Sequence, residues 1–195
     1  MDKVSAKILN YAVRNEYISN SVYEEYLYML TMLLNIIVTD ITMLLIGLAM
    51  HMVWECIVFW LIYKALRKYC GGFHFSTSFR CYLSSCIMCP LVLCMIHFMS
   101  DSMVVPTILT MAASATLLIL VPVEAVNKPL DEAERAVFGK VARILVVIAV
   151  VVYSIMLLVR FYTISKILAL GIICVTIFVV AGKIQLVYLK HRHLR

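Results

Sequence analysis

Long apolar runs separated by short polar breaks set the pattern of this chain. Six runs stand out, at about residues 27–49, 52–66, 82–99, 103–121, 141–159 and 164–188. A transmembrane helix needs about 20 mostly apolar residues, and five of the runs approach or exceed that. The second is shorter and carries Glu55 and Lys64, so an interfacial or re-entrant course is its alternative. Ahead of them, residues 1–22 place Val4, Ile8 and Tyr11 at three-to-four spacing, continued by Asn15 or Ile18. That spacing predicts an amphipathic helix, with Lys3, Lys7 and Arg14 available to lipid headgroups. A frayed polar start is the alternative. Residues 1–20 lack an apolar h-region and a small-residue cleavage site, so no cleavable signal peptide is expected.

Composition turns the pattern into a fold class. Of 195 residues, 64% are hydrophobic and 14% charged, and mean hydropathy is +1.00. A soluble domain is about half apolar and about a quarter charged, so a water-soluble fold could not hide this much apolar surface. The expectation is an all-α polytopic membrane protein with about six transmembrane helices, forming one domain over 1–195. No soluble-type repeat or low-complexity segment is visible.

Basic residues orient the spans. With six crossings and an inner N-terminus, 15 of the 17 Lys and Arg face inward, leaving Arg160 and Lys166 outside. The expected location is therefore the cell membrane, multi-pass, with both termini on the cytosolic side. An interfacial second run would invert everything downstream and destroy this bias. The formal net charge of +6 is what positive-inside bias alone produces, although it would also attract an acidic partner. Nucleic-acid binding is not expected, since no compact basic domain exists.

The chemistry concentrates in residues 64–86, KALRKYCGGFHFSTSFRCYLSSC. Gly71-Gly72 should end any helix entering the segment. His74 follows, and Cys81 lies seven residues later. A cysteine attacks as its thiolate, and a neighbouring histidine can take the proton and later return it. On one straight helix the two would stand about 10 Å apart along the axis, whereas proton transfer needs roughly 3 Å. The backbone is therefore expected to bend between them. A new helix should begin near Ser78, with Ser78 as its N-cap, Cys81 in the first turn within reach of the helix dipole, and Arg80 adding positive charge. The alternative is a cytosolic loop with an interfacial histidine and a packed cysteine.

Other polar residues carry paired readings of the same kind. Asp40 and Glu55 lie inside apolar runs, where ionisable groups are costly and often functional. Either could orient His74; pairing with another helix or with Lys64 is the structural alternative. Asn35 suits a polar contact between helices. The chain has seven cysteines, an odd number set mostly in apolar runs, so a secreted disulfide framework is not expected and most should be small buried hydrophobes. Cys86-x-x-Cys89 has no second pair with which to hold a metal, and no metal or cofactor is expected. His97 fits an interfacial position, His191 and His193 a solvated tail, and Glu24-Glu25 the interface before the first span. Pro90, Pro106 and Pro122 should kink or end helices.

The combination Arg67, Gly71-Gly72, His74 and Cys81 resembles the accessory gene regulator protein B (AgrB) family of membrane cysteine endopeptidases. The length, the multi-span layout and a downstream segment at Pro122, Asn127, Lys128, Pro129 and Leu130 are similar as well. The resemblance implies a catalytic loop at 64–81 and a second cytosolic loop at 122–140. It implies Cys81 as nucleophile and His74 as base and later acid. The substrate implied is a propeptide with an amphipathic leader and an acidic C-terminal tail, matured into a cyclic thiolactone quorum-sensing peptide. Arg67, Lys68 and Arg80 are candidates for attracting the tail, with Gly71 and Gly72 in support. Small residues in several spans are compatible with a homodimer. Two other classes fit the composition: a small transporter, although the spans show no paired halves with matching broken helices, and a non-catalytic scaffold, which would tolerate loss of one thiol.

Overall fold

A computed structural model of the chain describes residues 2–15, 17–19, 22–73, 75, 77–124 and 131–193. Among these residues the chain is all-α. It contains seven helices: α1 (Asp2–Arg14), α2 (Tyr23–Ala49), α3 (Val53–Cys70), α4 (Ser78–Phe98), α5 (Val104–Leu120), α6 (Glu132–Leu158) and α7 (Tyr162–His193). Each expected apolar run is helical. Four helices, α2, α4, α6 and α7 through Leu189, are long and apolar enough to cross a membrane, and α5 is a shorter apolar helix. The second run forms an 18-residue helix, α3, whose Glu55, Lys64, Arg67 and Lys68 set it apart from those four.

α7 is the centre of the bundle and packs against α3, α5 and α6. Its residues Ser165–Ile172 are buried without interruption, as befits a helix that is apolar on all sides and surrounded by others. The main core joins Met43 of α2, Phe59 and Leu66 of α3, Leu93 of α4, Leu117 of α5, Val146 of α6 and Val175 of α7. Around it, large apolar side chains point outward, including Leu44, Leu45, Ile87, Leu91, Ile148, Val151 and Ile155. An exposed apolar belt of this extent is characteristic of a lipid-facing surface.

The turns at one end of the bundle are tight. His51 (φ 54) and Arg160 (φ 59) both adopt the left-handed conformation that ends a helix with a six-to-one hydrogen bond. These bonds run from Met52 N to Gly47 O (2.9 Å) and from Phe161 N to Met156 O (2.9 Å). At the same end, the buried Lys166 donates to Met99 O (2.7 Å) and to Asp101 Oδ1 (2.8 Å). Lys166, one of the two basic residues expected outside, is thus paired where it stands.

α1 packs on α2, burying Ser5 and Leu9, and Tyr23 Oη donates to Asn10 Oδ1 (3.0 Å). The helix ends at Arg14, short of the expected residue 22. Val4, Ile8 and Tyr11 form its outward apolar face rather than its contact with the bundle, which is the arrangement an interfacial helix needs.

Asp40 and Lys64 link α2 to α3. Lys64 Nζ donates to both carboxylate oxygens (2.9 Å each), and Trp60 Nε1 donates to Oδ1 (2.8 Å). The pair cancels two charges within apolar stretches, where either one alone would be expensive. Replacing only Asp40 with Leu should destabilise the protein by roughly 1–2 kcal/mol, since the pair is half open on one side. The Asp40→Leu/Lys64→Leu double variant should recover most of that loss. Thermal unfolding of the purified variants in detergent tests the order: the single variant must melt below the double one.

Candidate functional site

The helix-breaking pair does what its residue types require. α3 ends at Cys70, and Gly71 (φ 70) and Gly72 (φ 110) both take positive φ, a region in which only glycine is unstrained. The chain then leaves α3 between two other segments. Gly72 N donates to Val123 O (2.9 Å), and Val123 N donates to Cys70 O (3.0 Å). On the other side, Phe73 N donates to Phe178 O of α7 (2.8 Å). The loop is thus fixed by backbone hydrogen bonds to the α5–α6 linker and to the central helix.

The approach is close enough to exclude side chains. A Cβ on Gly71 would lie 2.0 Å from Val123 O, one on Gly72 would lie 2.6 Å from Phe178 O, and one on Gly182 would lie 2.4 Å from Phe73 N. Gly182 thus opens a notch in α7 into which the loop backbone fits. Gly139 of α6 serves the linker similarly, facing Pro122.

Arg67 lies in the last turn of α3. Its two terminal nitrogens donate to Gly71 O and Phe73 O, and its guanidinium sits 5.0 Å from the centre of the Phe178 ring. It is also within electrostatic range of Tyr63 and Cys81. The sequence suggested this arginine as a contact for an acidic substrate; here two of its donors go to the loop's own carbonyls. Lys68 and Arg80 remain exposed, with the Lys68 ammonium 5.3 Å from the Tyr69 ring centre.

α4 begins at Ser78, as expected, but its cap is Thr77. Thr77 is extended (φ −130, ψ 141), and its hydroxyl accepts from Arg80 N at 3.4 Å. A threonine in that conformation one residue earlier satisfies the orphan amide first, leaving Ser78 as the first helical residue. Cys81 is then the fourth, with its N–H on Thr77 O (3.2 Å). Cys81 is the one exposed cysteine of the seven. Cys56, Cys70 and Cys89 are buried, and Cys86, Cys94 and Cys174 are partly buried.

His74 lies outside the described residues, as do Asn127, Lys128, Pro129 and Leu130. Phe73 and Phe75, on either side of His74 in the chain, pack edge to face at 4.9 Å. Of the two acids considered as orienting groups, Asp40 is engaged by Lys64 and Trp60. Glu55 lies in the first turn of α3, about 22 Å of helical rise from Cys70, and so at the far end from the loop. Cys89 approaches Cys56 (Sγ–Sγ 3.6 Å) rather than forming a site with Cys86. Among the described residues no group of three or more metal-ligating side chains is found.

Sequence reasoning did not find Val123, Phe178 or Gly182 as contributors. Pro122 pointed to the linker, but a lone glycine in an apolar helix carries no local signal of what docks against it. A water-soluble maleimide added to native protein should label Cys81 first, with Cys56, Cys70 and Cys89 reacting only after unfolding. Peptide mapping by mass spectrometry reads the order.

A family model described as Accessory gene regulator B matches residues 5–179. No curated protein matches the chain, and no solved structure matches it.

Proposed function

Since the chain belongs to the accessory gene regulator B family, whose members process autoinducing peptides, we propose that it is a membrane-embedded cysteine endopeptidase and cyclase acting through Cys81 and His74. The observation that carries the assignment is the position of Cys81. It is the exposed cysteine, it opens a helix, and it follows a loop whose backbone is fixed on both sides. A fixed loop matters because proton transfer tolerates little error in distance.

In the first step His74 takes the Cys81 proton. The thiolate attacks the carbonyl of the last residue of the future signal. The C–N bond to the tail then breaks, His74 returns its proton to the leaving amine, and an acyl-thioester on Cys81 remains. A thiol within the propeptide next attacks that thioester, closing a thiolactone and restoring the Cys81 thiol. This exchange of one thioester for another roughly conserves bond energy, whereas hydrolysis would discard it. Water must therefore be kept from the intermediate, and a site at a membrane boundary suits that need. Arg67 acts as a positioning residue: it ties Gly71 O and Phe73 O together and places positive charge near Cys81.

The proposed topology has six crossings, α2 to α7, with α1 in the inner interface and the 71–77 and 121–131 segments at the cytosolic face of a bacterial membrane. It is supported by the basic residues gathered at that end and by Lys166, paired with Asp101, at the other. α3 crosses because Asp40 neutralises Lys64 and the loop carbonyls take up Arg67. Small residues of α5 and α7, Ala112, Ala113 and Ala181, line an outward groove suited to close contact between two copies.

Co-expression with a candidate propeptide, read by mass spectrometry, tests the assignment. Wild type should release the tail and yield a product one water lighter than the linear fragment, while Cys81→Ala and His74→Ala should release none. Tail release by both variants would return the protein to the transporter or scaffold class. In the same assay Gly182→Ala should slow release on the order of a hundredfold, because a displaced loop misplaces the base. Its yield in the membrane should stay near that of wild type.

A further inference from the structure

The linker that fixes the catalytic loop also walls a cleft. Pro122, Val123, Glu124, Arg135, Lys183 and Leu186 line about 180 Å3 between the linker, the start of α6 and α7. Pro122, Val123 and Leu186 provide an apolar surface, and the other three residues bring charge. Arg135 pairs with Glu124 through one terminal nitrogen. The two partners are unequally placed: the Glu124 side chain is 18% exposed and that of Arg135 is 62% exposed. The carboxylate is tucked in, while the guanidinium keeps further donors open to solvent. Lys183 is exposed and forms no ion pair among the described residues. The cleft therefore holds two cations against one anion, a surplus that favours a carboxylate ligand.

We propose that this cleft binds the acidic C-terminal tail of the propeptide, with Lys183 and Arg135 as its carboxylate contacts and Glu124 as an internal competitor for Arg135. The proposal rests on the peptidase reading above. Two adjacencies tie the cleft to the loop. Glu124 follows Val123, whose N–H and C=O are both committed to residues 70–72. Lys183 follows Gly182, the notch that seats Gly72 and Phe73. Each charged wall is one residue away from a contact that fixes the loop, so a tail held there is held by the same backbone that places the site. Lys68 and Arg80 remain available to the segment nearer the scissile bond.

Two measurements on the full-length protein in detergent test this. The first is binding of a fluorescein-labelled short poly-glutamate peptide, followed by anisotropy at low salt, with a poly-lysine peptide as control. Lys183→Glu should weaken poly-glutamate binding about tenfold or more. Glu124→Gln should strengthen it about threefold, since the competitor loses its charge. Lys7→Glu, on α1, should leave it within twofold. Equal weakening by Lys7→Glu and Lys183→Glu would mean general attraction to a basic surface and would overturn the proposal. The second is tail release from a co-expressed propeptide and from a version with its tail acids changed to lysine. Lys183→Glu should slow release of the acidic tail and improve release of the basic one. If wild type releases the tail and Lys183→Glu does so equally well, with unchanged poly-glutamate affinity, the cleft is not the tail site and the peptidase reading stands. If wild type releases no tail at all, the peptidase reading itself fails, and the tail assignment with it.

Discussion

The geometry of the candidate site depends on three backbone hydrogen bonds, from Gly72 N to Val123 O, from Val123 N to Cys70 O and from Phe73 N to Phe178 O. They draw together a helix end, a linker and the flank of a helix more than a hundred residues downstream. Backbone groups away from water must be paired, so a loop in this position has to find partners in other segments. The glycines at 71, 72 and 182 are the steric condition for it, because a methyl group at any of them would collide with a backbone atom. Arg67 completes the arrangement by satisfying two loop carbonyls. Glycines and an arginine that look unrelated in the sequence thus serve one requirement, a fixed turn ahead of the helix that carries Cys81.

Elsewhere the bundle handles polar groups by the same rule. Asp40, Trp60 and Lys64 satisfy one another between α2 and α3. Thr42 meets the Tyr82 hydroxyl (3.0 Å), and Thr107 meets that of Tyr153 (2.7 Å). Several hydroxyls turn back to their own helix, as Ser114 does to Thr110 O (2.7 Å). Among the described residues no buried side-chain nitrogen or oxygen lacks a partner. An apolar exterior therefore encloses an interior in which each polar contact is specific, and such contacts discriminate between packings that dispersion alone would leave nearly equivalent.

The parts of this fold that are local in origin could be read from the sequence. Long apolar runs became helices, Gly71-Gly72 ended α3, and Cys81 fell at the start of α4. The shift of the cap from Ser78 to Thr77 is a local ambiguity, since both residues carry a suitable hydroxyl and only the extended backbone at 77 decides between them. The face of α1 was harder. The three-to-four spacing of Val4, Ile8 and Tyr11 identifies an apolar stripe without saying whether protein or lipid covers it, and Ser5 and Leu9 turned out to face α2. The roles of Val123, Phe178 and Gly182 could not be read, because they arise only when segments distant in the chain meet. Asp40 lay between these cases: a lone acid in an apolar run announces a partner, and the sequence placed Lys64 among the candidates.

Phe178 and Gly182 also bear on the order of assembly. They lie in α7, the last helix described, whereas Cys81 opens α4. A chain that has emerged only as far as α6 carries the thiol, the glycine pair and the linker, but the Phe178 carbonyl that holds Phe73 has yet to join the bundle. Cys81 and the α7 groups that seat Gly72 and Phe73 ahead of it are thus separated in time during synthesis, and the packing around that loop is completed only as α7 docks.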